Sequence, residues 1–311
     1  MTLNVLILGA NGFVGRKLVQ RLASSGWATP IAATRRPINL AGVENVCLDA
    51  ADAAMLSAEI AKVDCVVNCV AGPAEVMVQG AQALRTALTA VPGRSPRLVH
   101  FSSMAVYGSA VGKVAESHPL QGDLGPYSSA KVEAETILGD VPNVVVLRPG
   151  CIFGPDSVQW SERIARLLRA RRIGDLGPDG DACSNLVYID DVVDAVLAAL
   201  RIDAATGQAF NLAMRGAPTW NEYFVAYGRA LGAVPVRRIT SRRLKIERRL
   251  AIPLKVLELI CRRLRIKGTP VVLTPSMLSL WQQDIQLQQD AAESILGLSW
   301  TPLETALKAT S

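Results

Sequence analysis

Short runs of Val, Ile and Leu alternate along the chain with longer stretches in which apolar residues recur every three or four positions. Unbroken apolar runs suit strands covered on both faces, and the longer period suits helices laid against them. The pattern predicts strands near 3–8, 29–33, 44–48, 64–68, 97–101, 143–147 and 208–212. Helices are expected near 13–25, 73–90, 127–139, 158–170 and 190–201. Strand alternating with helix in this way predicts an α/β chain built on a doubly wound parallel sheet. The rhythm lapses after residue 213, and 151–188 interrupts its last part. We therefore expect one domain from 1–150 plus 186–213, and a smaller, mostly helical C-terminal substrate lobe from 151–185 plus 214–311.

The first strand runs into LILGANGFVG (residues 6–15), followed by RKLVQRLASSG. That is a strand, a tight glycine turn and a helix start, a junction whose unpaired N–H groups and helix dipole favour a diphosphate. Gly9 would make the turn, Gly12 would let backbone approach the ligand, and Gly15 would let the helix sit close on the strand. The spacing is GxxGxxG, and Gly9, Asn11, Gly12, Phe13, Val14 and Gly15 are the candidate contacts of a dinucleotide. At the end of the second strand, where an acid would face a ribose 2′-hydroxyl, the chain reads ATRRP. Arg35 and Arg36 suit a 2′-phosphate instead, so NADP is the preferred cofactor and NAD the alternative. A solvated loop with two arginines is the competing account. Asp49, after the third strand, would reach an adenine edge or else cap its own loop. Val70 and small Ala71 and Gly72, after the fourth strand, would let backbone pass close to the cofactor.

Half of the 311 residues are hydrophobic and 19% are charged, which predicts a substantial core and excludes a disordered chain. No uncharged stretch is long enough to span a bilayer, and the chain opens directly on its first strand, so a cytoplasmic protein without a signal peptide is expected. The six cysteines form no CxxC pair and are expected as core residues, with no metal site. There are two histidines, His100 and His118, which leaves little room for mechanisms needing several imidazoles.

The chemistry concentrates in two segments. Residues 100–108, HFSSMAVYG, deliver Ser102 and Ser103 to the carboxyl edge of the sheet, where ligands bind in such folds. Residues 125–135, GPYSSAKVEAE, place Tyr127 and Lys131 four apart on one helix face. A phenol with an ordinary pKa near 10 is a poor base at neutral pH. An ammonium group and an oxidised nicotinamide ring beside it favour the phenolate and make Tyr127 a usable acid/base.

With these segments in this order, the chain resembles the extended short-chain dehydrogenase/reductase superfamily, which includes NAD(P)-dependent epimerases and dehydratases. The resemblance rests on GANGFVG, FSSMAVYG, YSSAK, RPGCIFGP (148–155), LVYIDD (186–191) and LGLSWTP (296–302). It implies a Rossmann domain and hydride transfer at a nicotinamide. Ser103, four residues before Tyr107, would hold the substrate oxygen, with Ser102 as the neighbour open to confusion with it. Tyr127 would donate or accept the proton, and Lys131 would bind the nicotinamide ribose and tune Tyr127. Arg148 and Pro149 would pass near the nicotinamide carboxamide, while Tyr107 would be structural. Asp190 and Asp191 open a helix and are assigned to capping.

Three departures narrow the expected chemistry. Met104 and Ala105 stand where family dehydratases carry an Asp-Glu pair, so a sugar 4,6-dehydratase is not expected. Ser184 and the Trp281–Gln283 stretch stand where nucleotide-sugar members place arginines against a diphosphate. The leading expectation is an oxidoreductase interconverting a secondary alcohol and a ketone on a partly apolar small molecule. A nucleotide-sugar epimerase with tightly held NAD is the alternative, and a non-catalytic cofactor binder a remote one. The third departure is segment 236–267, with twelve Lys/Arg against Glu247 and Glu258, a local charge of +10 in a chain of +6. Leu254, Leu257, Cys261 and Leu264 form a helical stripe flanked by Val256 and Ile260. Such a helix suits peripheral contact with an anionic membrane or an acidic substrate, or a lobe helix with one buried face and snorkelling arginines. No nucleic-acid partner is expected, since aromatic interleaving is absent. A homodimer is left open.

Overall fold

The computed structural model describes residues 2–38, 40, 42–91, 93, 95–264 and 272–311. The strands in chain order are β1 (Leu3–Leu8), β2 (Ala28–Thr34), β3 (Glu44–Cys47), β4 (Cys65–Asn68), β5 (Arg97–Phe101), β6 (Gly112–Val114), β7 (Val144–Pro149), β8 (Cys151–Phe153), β9 (Leu186–Tyr188), β10 (Ala209–Leu212) and β11 (Ile285–Leu287). Seven of them form one sheet in the order β10-β7-β5-β4-β1-β2-β3. Every pairing in it is parallel. The seven strands expected from the apolar runs are these seven. Their composition explains it: Val5 to Leu8, Val66 and Val67, and Leu98 and Val99 are fully buried, as strands covered on both faces require.

Helices α1 (Phe13–Ala23), α2 (Ala53–Ile60), α3 (Ala74–Thr89), α4 (Pro126–Leu138), α5 (Arg163–Arg169), α6 (Ile189–Arg201), α7 (Trp220–Ala230), α8 (Ser241–Arg263), α9 (Pro275–Trp281), α10 (Asp290–Leu296) and α11 (Leu303–Thr310) complete the chain. The helix expected over 158–170 is present, and its first stretch, Val158–Glu162, is a wider π turn that runs directly into α5. Asp190 and Asp191 lie in the first turn of α6, where negative charge suits the helix dipole. They are not its cap, however, because Tyr188 holds the N-cap position.

The chain divides into two compact units, Met1–Gly150 with Val187–Ala213 and Leu287–Trp300, and Cys151–Leu186 with Met214–Gln286 and Thr301–Ser311. In the first unit the direction of strand addition reverses between β1 and β4, which opens a crevice at their carboxyl ends. The second unit is mostly helical. Its core is aromatic: Trp220 packs on Trp160, Tyr223, Phe224 and Trp281 at ring separations of 5.4–6.3 Å. Of the predicted apolar stripe, Leu264 is exposed and Cys261 half-buried, and the flanking Val256 and Ile260 are exposed. Arg265 and Lys267 lie outside the described residues, as do the side chains of Leu254 and Leu257. Among the described residues no helix is long and apolar enough to cross a membrane.

Candidate active site

The turn between β1 and α1 is built by steric necessity. Gly9 has φ +78°, and a Cβ there would lie 3.1 Å from the Cys69 carbonyl at the end of β4. A Cβ on Gly15 would meet the Gly9 carbonyl oxygen at 2.4 Å and Ala10 Cα at 2.8 Å, so a side chain would push α1 off β1. Gly12 is the N-cap of α1 and offers no side-chain cap, and the first turn of the helix holds no acid. The leading N–H groups of a helix start, here including those of Phe13 and Val14, have no carbonyl partner within the helix and suit an anion. Asn11 is exposed and accepts from the Arg16 guanidinium at 2.9 and 2.6 Å. The cradle fits the diphosphate of a dinucleotide.

Around this turn the other predicted contacts fall at strand ends. Arg35 and Arg36 are exposed immediately after β2. Asp49 is exposed and its Oδ1 accepts from the Ala51 N–H at 3.1 Å, which caps the loop. Val70 is half-buried beyond β4 and donates its N–H to Asn68 Oδ1 at 3.1 Å, while Ala71 is exposed. Asn68 in turn shares a 3.2 Å hydrogen bond with His100 Nδ1. His100 is fully enclosed, and burial, with Lys131 nearby, pushes its pKa down to about 3, so the ring is neutral.

Helix α4 is fastened to the end of β5 by two hydrogen bonds. Ser128 Oγ donates to the Ala105 carbonyl at 2.6 Å, and Lys131 Nζ donates to the Phe101 carbonyl at 2.7 Å. Ser103 lies between those acceptors, half-buried, and caps the short 3-10 turn Met104–Tyr107 by accepting from Ala105 N–H. Ser102 points into the core and is buried. The alternation of a strand thus separates the two serines: Ser103 is the one with access to solvent. Lys131 is 3% exposed and Tyr127 is 46% exposed. The lysine Nζ lies 6.0 Å from the Tyr127 ring centre. Burial lowers the Lys131 pKa to about 8, against the opposing pull of Glu135.

Arg148 and Pro149 end β7, but the Arg148 side chain is committed elsewhere. Its guanidinium donates to both Glu135 carboxylate oxygens at 2.7–3.2 Å, to Tyr107 Oη at 2.9 Å and to the Glu116 carbonyl at 2.9 Å. Tyr107 Oη donates to Asn211 Oδ1 at 2.6 Å. Sequence reasoning missed Glu135 and Asn211 as parts of this buried floor, and also missed the separate Asn68–His100 pair. A signal existed: each is a polar residue at a position the apolar pattern assigns to the interior.

The sequence pattern of the NAD dependent epimerase/dehydratase family matches residues 5–213, the span that carries the glycine turn, the serine strand and α4. The chain belongs to that family. It is thereby an NAD(P)-dependent enzyme of the extended short-chain dehydrogenase/reductase type. Protein YeeZ of Escherichia coli is 27% identical over 252 residues, covering 74% of this chain and 85% of its own. A UDP-glucose 4-epimerase of Mycolicibacterium smegmatis is 27% identical over 267 residues, with 74% and 83% covered. Among solved structures, human epimerase family protein SDR39U1 with NADPH superposes at a TM-score of 0.73 and 18% identity, covering 99% of this chain and 98% of the other.

Proposed function

We propose that this family member interconverts a secondary alcohol and a ketone, with Tyr127 as the proton donor or acceptor and Ser103 and Lys131 as its partners. The observation that carries this reading is the pairing on α4: an accessible phenol one helical turn from a lysine that is buried and held at the carboxyl end of β5. The glycine turn would hold a nicotinamide dinucleotide, which would supply the two-electron acceptor or donor. Ser103 Oγ donates to the substrate oxygen and fixes the reacting carbon. Tyr127 Oη takes the hydroxyl proton during oxidation and returns it during reduction. The Lys131 ammonium stabilises the phenolate through its charge and would hold the ribose of a bound cofactor. Arg148 acts only through the buried floor, and its side chain makes no cofactor contact in this reading.

We further propose a preference for NADP over NAD, supported by Arg35 and Arg36 at the end of β2 with no acid beside them. A partly apolar substrate belongs to the same proposal, because the two positions where nucleotide-sugar members place arginines carry none. Ser184 Oγ is engaged with the Pro218 carbonyl at 2.6 Å, and Trp281 is buried in the aromatic core, so neither position offers a cation to a diphosphate.

A second reading, epimerisation of a nucleotide sugar by transient oxidation, is favoured by the likeness to the mycobacterial UDP-glucose 4-epimerase. Denaturing the purified protein and assaying the released nucleotide separates the two. A reductase yields little bound nucleotide and oxidises added NADPH in the presence of a ketone panel. Stoichiometric NAD with no net turnover of external cofactor would overturn the oxidoreductase reading and establish the second.

A further inference from the structure

Among its described side chains, helix α8 turns cations outward and Glu247 inward. Leu244 is buried, and Glu247, its one acid with a described side chain, is turned inward against Arg172. Ile246, Leu250, Val256 and Ile260, with Leu264 just beyond the helix, are instead about half exposed or more. At 3.6 residues per turn, Ile246, Leu250, Ile260 and Leu264 fall within about 80° of arc. Arg242, Lys245, Arg249 and Arg263 are exposed along one border of that sector. The outer face therefore presents an apolar strip beside a row of cations, over a helix of 23 residues or about 34 Å.

We propose that this face lies on an anionic lipid bilayer, with the apolar strip among the acyl chains nearest the headgroups and the cations on the lipid phosphates. Lipid matches both halves of the face, whereas a polyanion such as nucleic acid would match only the charges. A second copy docked through the same face would set cations against cations, because a two-fold interface brings identical surfaces together. The pairing of Glu247 with Arg172 turns that carboxylate away from the lipid phosphates. None of these residues belongs to the proposed catalytic set, so the inference stands independently of the redox reading.

The experiment sediments the full-length protein with vesicles of equal parts phosphatidylglycerol and phosphatidylcholine, and with vesicles of phosphatidylcholine alone, at low and high salt. Wild type should bind the anionic vesicles at low salt and be largely released by salt. The variant R242E/K245E/R249E should lose on the order of a hundredfold in partitioning, since each basic group near such a surface contributes about fivefold. The variant I246S/L250S/I260S should lose about tenfold or more. Both variants should keep the wild-type melting temperature within a few degrees, since they alter exposed positions. Wild type that ignores anionic vesicles at low salt, or binds neutral ones equally, would overturn the proposal. So would an apolar variant that binds as wild type does, since the face would then read charge alone. A dimer in sedimentation velocity that the apolar variant dissociates, with no vesicle binding, would assign the face to a second copy and likewise overturn it.

Discussion

Tyr107 and Tyr127 each lie beside a buried cation, Arg148 at 5.3 Å from one ring centre and Lys131 at 6.0 Å from the other. The Tyr107 pair is closed. Its phenol accepts from Arg148, donates to Asn211, and is sealed from solvent, and burial pushes its pKa above the ordinary value despite the guanidinium. Glu135 takes the rest of Arg148. The Tyr127 pair is open: the phenol is nearly half exposed at the sheet's carboxyl edge, and its lysine is anchored from behind by a carbonyl. A phenol sealed inside a network supplies rigidity because moving its proton would break that network, whereas one exposed to solvent beside a fixed cation can be reached by a ligand. Glu135 links the two pairs, since it lies one turn after Lys131 and holds Arg148.

The sharpest way to break this comparison is to remove each hydroxyl in turn. Tyr127→Phe should lower kcat by about 10³-fold or more while leaving the melting temperature and cofactor binding near wild type. Tyr107→Phe should do the reverse. It leaves a buried guanidinium N–H and the Asn211 carbonyl oxygen short of a partner, which costs about 1–3 kcal/mol in urea unfolding with kcat retained. A Tyr127→Phe enzyme with wild-type turnover would end the catalytic assignment, and a Tyr107→Phe enzyme that is inactive yet stable would invert the two roles.

Glu135→Ala tests whether the closed pair supports the open one. Removing one partner of a buried ion pair leaves an uncompensated charge and should cost about 3–5 kcal/mol. Both side chains are under a tenth exposed, so solvent screening offers little relief. Measured well below its transition temperature, the variant should still bind cofactor. If its stability is unchanged, the Arg148 floor is not the structural element described.

Lys131→Met addresses the cost of the open pair. The folded-state pKa is about 8 against an ordinary 10.5, so the unfolded chain binds more protons between those values and stability rises with pH across that window. The shift corresponds to roughly 3 kcal/mol of burial cost on the charged form below pH 8. The variant should lose that slope, keep or gain stability at pH 7 after the lost bond to Phe101 is counted, and bind cofactor at least about tenfold more weakly. Unchanged cofactor affinity by calorimetry would remove the ribose role.

How much of this was legible follows from the range of the interactions. The seven sheet strands were readable because each is a local apolar run, and Gly9 and Gly15 because a tight turn and a close helix crossing admit no Cβ. Helix α2 escaped notice since AAMLSAEI is short and nearly uniformly apolar, with little period to detect. Helix α7 was not predicted, although Thr219 and Glu222, whose reciprocal capping bonds follow a recognisable spacing, carried a signal for its start. The commitment of Arg148 to Glu135 and Tyr107 was out of reach. It joins β7, α4 and the turn after β5, and no local pattern states which polar residues meet across a sheet. The outward turn of the α8 apolar strip was hidden for the same reason, because periodicity gives a stripe but not the side it faces.

Arg35 and Arg36 extend the comparison to arginines. Arg148 is buried and spent on internal partners, while these two stand exposed where the second strand ends. An exposed cation contributes little to folding, so replacing both with serine should leave urea stability within about 0.5 kcal/mol of wild type. A charge-assisted bond to a 2′-phosphate contributes about 1.5–3 kcal/mol, so the double variant should lose at least about tenfold in NADPH affinity. NADH, which lacks that phosphate, should bind within about threefold of its wild-type affinity. The comparison therefore turns on the ratio of the two dissociation constants and not on either alone. Loss of both nucleotides together would mark the arginines as general phosphate contacts. Tighter binding of NADH than of NADPH by the unaltered protein would refute the proposed NADP preference outright, because that proposal rests on the cations at the strand end.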